Sequence, residues 1–484
     1  MLTRNLRSLI SISFIGRLLG SGLQYGIYIV IGRYLGAESL GLFTFGFVIL
    51  NIGATVSKIG LDKAVRKFVP IYRESSDDAL LTGTLLISLV VPFCLGISVS
   101  LFLYLGSDFV ETYFSQSLDA TTMLFLAGIP FMALMTVGQV ATTGFIQTKY
   151  SVLIKDIGQS LSAIVFVVIG TVVIGTVEAT IVGYVFSLVV AAGLALYFLH
   201  NLGGFDGISD PVFEVRQILK YSTPLTIAAL AQYLMQWTDV LMLGAFGTPA
   251  GIGRYQVAYQ TAVILGFLIG AANSIFPSVA SDLYDKGQMD RLREMYAALT
   301  KWLTYLTALG LVFLVVNASN ILTLFGNEFT DVWVVLTLLA GAFTFATAVG
   351  PAGFLLMMTD HEQVEMTNTL VVAATNVVLN YVLIQELGVL GAALATGGSL
   401  VLLSVLRLAE TWWFLDVRPY VRDYWKGAIA ITTAFPLMLV GELFLSHSIV
   451  VVFVSGLLSL PVFCVVIYYI GFDSTDRRLI ENLS

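Results

Sequence analysis

Charge is scarce in this chain. Of its 484 residues only 11% are Asp, Glu, Lys or Arg, where a soluble domain carries about 25%. Too little polar surface remains to face water on all sides, so a soluble fold is excluded. Cysteine is rarer still. Cys94 and Cys464 stand far apart, each inside an apolar run. They offer no disulfide framework and no zinc spacing, and read as unpaired packing residues. Only His200, His361 and His447 represent histidine, scattered and without a partner motif. A basic balance is missing as well, and the net charge of −7 excludes nucleic acid as a partner. Long polar insertions are also absent. The longest breaks between apolar runs, 61–79, 201–221 and 277–298, leave no room for a separate catalytic domain.

What is abundant is hydrophobicity: 57% of residues are apolar and the mean hydropathy is +0.90. A spanning helix takes roughly 20 mostly apolar residues, so the inventory suffices for about fourteen. The runs are continuous over about 20 residues and do not alternate over about 10, which excludes a transmembrane β-barrel. The predicted spans are 9–31, 40–60, 80–105, 118–144, 153–174, 176–200, 222–245, 252–276, 299–322, 331–358, 364–385, 389–413, 425–446 and 448–471. The first run follows Arg4 and Arg7, contains Arg17 and lacks a small-x-small cleavage site. It reads as a retained span and not a signal peptide.

Basic residues sort by side. Arg4 and Arg7, the group Lys58, Lys63, Arg66, Lys67 and Arg73, and then Lys149, Lys155, Arg216 and Lys220 all lie in or at the edges of breaks of one parity. So do Lys286, Arg291, Arg293, Lys301, Arg418, Arg422, Lys426, Arg477 and Arg478, making twenty of the 24 Lys and Arg. The opposite breaks hold Arg33 and Arg254 beside acids such as Asp108, Glu111, Glu328 and Glu386. The positive-inside rule places both termini in the cytoplasm of a multi-pass plasma-membrane protein.

The chain also repeats itself at an offset near 212. Gln24, Gly32 and Leu40-Gly41-Leu42-Phe43 match Gln236, Gly244 and Ile252-Gly253-Arg254-Tyr255. Gly144-Phe145 matches Gly353-Phe354, and Gly175 and Ala179 match Gly388 and Ala392. This predicts an all-α membrane fold of two six-helix lobes, 1–205 and 206–415, related by a parallel repeat. Residues 416–484 add helices thirteen and fourteen and a cytoplasmic tail. Two-lobed carriers of this kind move substrate between the lobes by rocking.

A charge at mid-helix costs at least ~2.5–3.5 kcal/mol, so polar stripes within spans are informative. In span one Ser13, Arg17, Ser21, Gln24 and Tyr28 share a helical face, and in span two Thr44, Asn51, Thr55 and Lys58 do the same. Span seven carries Gln232, Gln236 and Asp239; span eight carries Gln256 and Gln260 beside Tyr255 and Tyr259. Asn376 and Asn380 form a further pair in span eleven. These faces predict a hydrated cavity lined by Arg17, Ser21, Gln24, Tyr28, Asn51, Lys58, Gln232, Gln236, Arg254, Gln256 and Gln260. The bland reading is helix-to-helix hydrogen bonding. Lys58 snorkels or lines the cavity, and Arg407 is read as snorkelling at the end of span twelve. Glu442 in span thirteen has no assigned role. Arg17, Lys58, Arg33 and Arg254 suit an anionic substrate. Asp239 either neutralises Arg254 or Arg17, or binds a coupling cation.

Residues 31–72, IGRYLGAESLGLFTFGFVILNIGATVSKIGLDKAVRKFVPIY, resemble the opening signature of the polysaccharide-biosynthesis flippases. These belong to the multidrug/oligosaccharidyl-lipid/polysaccharide exporter superfamily. Residues 233–260, YLMQWTDVLMLGAFGTPAGIGRYQVAYQ, are similar to its seventh and eighth spans, with Asp239, Leu243-Gly244 and Gly253-Arg254-Tyr255 in the matching places. The resemblance implies movement of a polyprenyl-(pyro)phosphate-linked oligosaccharide to the outer leaflet, for surface polysaccharide or glycoprotein glycan assembly. It implies a cationic cavity, matched here by Arg17, Lys58 and Arg254. No catalytic residue, metal or bound cofactor is expected beyond Na⁺ or H⁺ coupling through Asp239. Membrane lipids and glycan-assembly enzymes are the expected partners of a monomeric chain. Two other classes stand beside this one. A cation-coupled multidrug or metabolite antiporter would hold acids in its lobes, and the first lobe has essentially none buried. A membrane glycan polymerase or ligase would need a catalytic outer loop, and the outer loops are short.

Overall fold

The computed structural model describes residues 2–107, 120–207, 210–420, 423–444 and 448–471, with side chains from Leu19 onward except at 120, 148, 440–444, 448 and 471. Every regular element among them is helical. Eleven helices among the described residues are long and apolar enough to cross a membrane by length and composition. The chain divides into two compact units, Met1–Gly253 and Arg254–Ser484.

The first helical run, Leu2–Lys58, is broken at Gly36, where φ is 85° and ψ is −179°. Only glycine takes that conformation without strain, so the run is two helices, α1 (2–35) and α2 (37–58). Gly60, at φ 66°, turns the chain into the amphipathic helix α3, Leu61–Glu74. Asp77 then caps α4, Asp78–Leu105, by accepting from the Leu80 amide at 3.0 Å. The helix α5 covers 120–144 and α6 covers 148–174, the latter with π-helical stretches at Leu153–Gln159 and Ile169–Ile174. Gly175 at φ 82° ends α6, and Thr176 caps α7, Val177–Asn201. The helix α8, Val215–Phe246, completes this unit apart from the first turn of the next helix.

Two clusters hold the first unit together. The apolar face of α3, with Leu61, Val65, Phe68 and Val69, packs on Leu81 and Leu85 of α4, Val137 and Ala141 of α5, and Leu199 of α7. Deeper along the bundle, Phe43 and Phe47 of α2 meet Phe125, Tyr184 and Trp237 edge-on, with ring centroids 5.3–6.1 Å apart.

The helix α9 begins at Pro249 and continues to Asn273. Its first turn meets the start of α2 through a symmetric pair of glycines. A Cβ on Gly41 would lie 1.7 Å from the Pro249 carbonyl oxygen, and one on Gly253 would lie 2.1 Å from that of Ala37. The two contacts cross, Gly41 to Pro249 and Ala37 to Gly253, so the segments 37–41 and 249–253 pack face to face, with Gly41 and Gly253 the residues 212 apart. Backbones this close admit no side chain.

In the second unit α10 is Phe276–Asp285, α11 Met289–Val316, α12 Trp333–Ala348, α13 Ala352–Met357, α14 Glu362–Leu387 and α15 Val389–Leu415. Two last helices follow, α16 (Tyr424–Phe444) and α17 (Ser448–Val466). Tyr296, Val349, Leu355 and Val417 anchor one core. Tyr305, Ala430, Ala434 and Phe463 form another, which ties α16 and α17 to α11.

Large apolar side chains such as Phe102, Val173 and Trp413 stand exposed on the outer faces of these helices. In water they would aggregate; against lipid they are at home. Cys94 and Cys464 are unpaired, but both are exposed, so they lie on that outer surface and are not core packing residues.

Candidate functional site

Inside the first unit polar side chains of five helices converge on a cavity of about 220 Å³. Its wall takes Gln24 from α1, Asn51 from α2, Lys155 and Gln159 from α6, Tyr184 from α7, and Tyr233 and Trp237 from α8. Asn51 is buried and fixed from two sides. Its amide donates to the Phe47 carbonyl at 2.7 Å, and its oxygen accepts from the Tyr233 hydroxyl at 2.8 Å. Such bonds stabilise by about 0.5–1.5 kcal/mol each, and this one joins α2 to α8. Among the described residues the lining carries one cation, Lys155, and no carboxylate.

Gln24 and Asn51 were expected in this wall; Lys155 and Gln159 were not. Charge sorting counts Lys155 with the cytoplasmic basic residues, at the start of the predicted span 153–174. It lies within the π-helical stretch Leu153–Gln159, where the wider turn re-aims side chains and often marks a functional segment. A signal existed: Lys155 and Gln159 are four apart, the spacing that marked the other stripes.

The remaining expected residues divide. The backbone of Arg17 is helical in α1, but its side chain, like those of Ser13 and Glu442, lies outside the described residues, as do Asp108, Glu111, Arg422, His447, Arg477 and Arg478 entirely. Ser21 is exposed and Tyr28 is buried. Lys58 is half-buried at the end of α2, where the charges of Asp62, Lys63 and Lys155 act on it. Gln232 and Gln236 are exposed along α8. Asp239 is buried, and its Oδ1 accepts from the Val240 amide at 2.8 Å.

In the second unit Gln256 is fully buried and Gln260 half-buried. Arg254 forms an ion pair with Asp331 at 3.2 Å, a partner the sequence did not suggest. Arg407 requires a correction. It does not snorkel. Its Nε donates to Glu365 at 2.9 Å and its Nη2 to the other carboxylate oxygen, a bidentate pair across α14 and α15. Glu365 is buried, and a carboxylate there needs a partner on the neighbouring helix more than the arginine needs the interface. Three residues on, Glu410 accepts from Asn368, repeating the link. The Arg407–Glu365 pair lines a second cavity of about 260 Å³. Asn376 donates to Ser399 at 3.1 Å and Asn380 to Asn376 at 3.1 Å.

Comparison with known proteins sets this geometry in a lineage. The family model described as polysaccharide biosynthesis protein matches residues 6–281. The Haloferax volcanii protein named "Probable low-salt glycan biosynthesis flippase Agl15" is 24% identical over 442 residues, covering 89% of this chain and 88% of its own length. Among solved structures, "Lipid II flippase MurJ, inward closed conformation" superposes with a TM-score of 0.70 at 14% identity, over 98% of this chain and 99% of its own. An inward-facing multidrug resistance MATE family transporter of the MOP superfamily gives 0.67 at 15% identity, over 82% and 94%. These structures share the fold. The match to the family model spans more than half of the chain, which therefore belongs to the polysaccharide biosynthesis protein family, as a multi-pass membrane protein.

Proposed function

We propose that this chain is a flippase moving a polyprenyl-(pyro)phosphate-linked oligosaccharide from the inner to the outer leaflet by alternating access. The observation that carries the reading is the cavity of the first unit, whose polar wall holds Lys155, Gln159, Gln24 and Asn51 and no acid. An ammonium among amide and phenol donors suits a phosphate ester and the hydroxyls of a glycan. The names of the similar proteins, a glycan biosynthesis flippase and a lipid II flippase, point the same way. At about 220 Å³ the cavity is smaller than the ~300–1,000 Å³ typical of small-ligand sites, so passage of a glycan requires the wall to open.

The fourteen-span plan belongs to this reading. Splitting the first candidate span at Gly36 and adding α8 and α16 to the eleven apolar helices gives that count. The symmetric Gly41 and Gly253 contact supports the parallel repeat. Both termini are then cytoplasmic, and Asp239 is the group through which Na⁺ or H⁺ would couple to resetting. A monomer working beside glycan-assembly enzymes completes the picture.

The second reading, a cation-coupled multidrug antiporter, draws on the likeness to the MATE fold. Purified protein in proteoliposomes decides between them. A lipid-linked oligosaccharide loaded in one leaflet should become accessible to an added glycosidase from the other. Arg17→Ala should abolish this at near-normal protein levels, with partial rescue by Arg17→Lys. Cation-driven efflux of a small drug with no movement of the lipid-linked glycan would overturn the flippase reading.

A further inference from the structure

A second cationic site lies outside the cavity, between α3 and the first turns of α8. Two adjoining hollows of about 890 and 430 Å³ share Lys67 and Tyr221. Lys63, Arg66 and Lys67 face them from α3, and Arg216 and Lys220 from α8. The spacing puts each set on a single face of its helix. Glu214 is the acid in the lining, and its carboxylate is occupied by the Tyr72 hydroxyl at 2.6 Å. Burial and that carboxylate push the Tyr72 phenol up to about 12, so it remains a donor and holds Glu214. Lys63 is drawn to Asp62 at 3.4 Å. Arg66, Arg216 and Lys220 make no ion pair or hydrogen bond among the described residues, and Lys67 sits 4.1 Å over the Tyr221 ring.

Exposed cations are usually a solvated surface. Three features set these apart. They come from two helices separated by more than 140 residues in sequence. They bound a groove and not a convex face. The groove also continues past apolar Leu225, Ala228 and Ala229 to Gln232, twelve residues beyond Lys220 and therefore about 18 Å along the axis of α8. The next residue, Tyr233, holds Asn51 in the cavity wall. A cationic end with an apolar continuation matches an amphiphile whose head is a phosphate or diphosphate.

We propose that this groove captures the phosphate head of the isoprenoid-linked substrate before the substrate reaches the cavity. The assignment of substrate rests on the flippase reading; the phosphate chemistry does not. The probe is farnesyl diphosphate, titrated onto the full chain in nanodiscs of zwitterionic lipid. The variant is Arg66→Gln with Arg216→Gln and Lys220→Gln, all exposed positions, with thermal unfolding as the folding check. Loss of three near-surface cations should weaken binding by about tenfold or more, and the three-fold Arg/Lys exchange Arg66→Lys, Arg216→Lys, Lys220→Arg should restore most of it. Phosphatidylglycerol at equal mole fraction should compete weakly. In proteoliposomes the variant should need a higher density of lipid-linked oligosaccharide for half-maximal flipping while its maximal rate stays within about twofold of the parent. Unchanged diphosphate affinity, equal competition by phosphatidylglycerol, or a fall in maximal rate at unchanged half-saturation would each overturn the proposal. A parent protein that flips no lipid-linked oligosaccharide, yet binds diphosphate through these residues, would remove the flippase reading and leave the groove as a phosphate site.

Discussion

Asn51 and Arg407 show how one polar side chain acts inside a membrane helix. Each is expensive unless its partner comes from a neighbouring helix, so each becomes a link. For Arg407 the link is Glu365, and its removal has a distinctive signature. Arg407→Gln leaves a buried carboxylate uncompensated and should destabilise the chain by about 3 kcal/mol, the lower end for a buried pair because Arg407 itself is partly exposed. Adding Glu365→Gln should recover part of that loss. Thermal unfolding of the two singles and the double in detergent measures the coupling, and additive losses would show that the pair carries no joint stabilisation. The sequence revealed that Arg407 and Glu365 were present but not that they met. They are 42 residues apart on successive helices, and the register between two helices is set by packing, not by either helix alone.

Helices in this chain are shaped by glycine where they turn or touch. Gly36 separates α1 from α2 because its φ of 85° excludes other residues, and without it the run Leu2–Lys58 would be one rod. Gly41 acts by closeness. A methyl group there would overlap the Pro249 carbonyl, so Gly41→Ala must part the helix ends and should cost at least ~1–3 kcal/mol, with lower yield of folded protein and loss of transport. Gly22→Ala is the control: it is exposed, has nothing within 4 Å of its Cβ, and should be tolerated. Equal behaviour of the two variants in size-exclusion profile and unfolding temperature would contradict the contact. The repeat offset near 212 had already paired Gly41 with Gly253; the structure adds that the paired glycines touch.

At the scale of the whole molecule the charge sorting makes a plain forecast. Reporter fusions at residues 110 and 284 should report opposite sides of the membrane, with 284 cytoplasmic. The same side for both would remove the fourteen-span plan. The helical, multi-pass character of this protein and its polar stripes were determined by sequence alone, because hydropathy and helical period are properties of a continuous segment. Family membership was legible for the same reason, in the motifs around Gly41 and Asp239. Only the tertiary structure decided which stripes share a wall. It brought Lys155 and Gln159 to Asn51 through a π-helical turn, gave Arg407 to Glu365 and Arg254 to Asp331, and folded α3 against α8 to gather cations far apart in sequence into one groove. Each outcome depends on rotation and register between helices, which are fixed by the packing of side chains far apart in the chain.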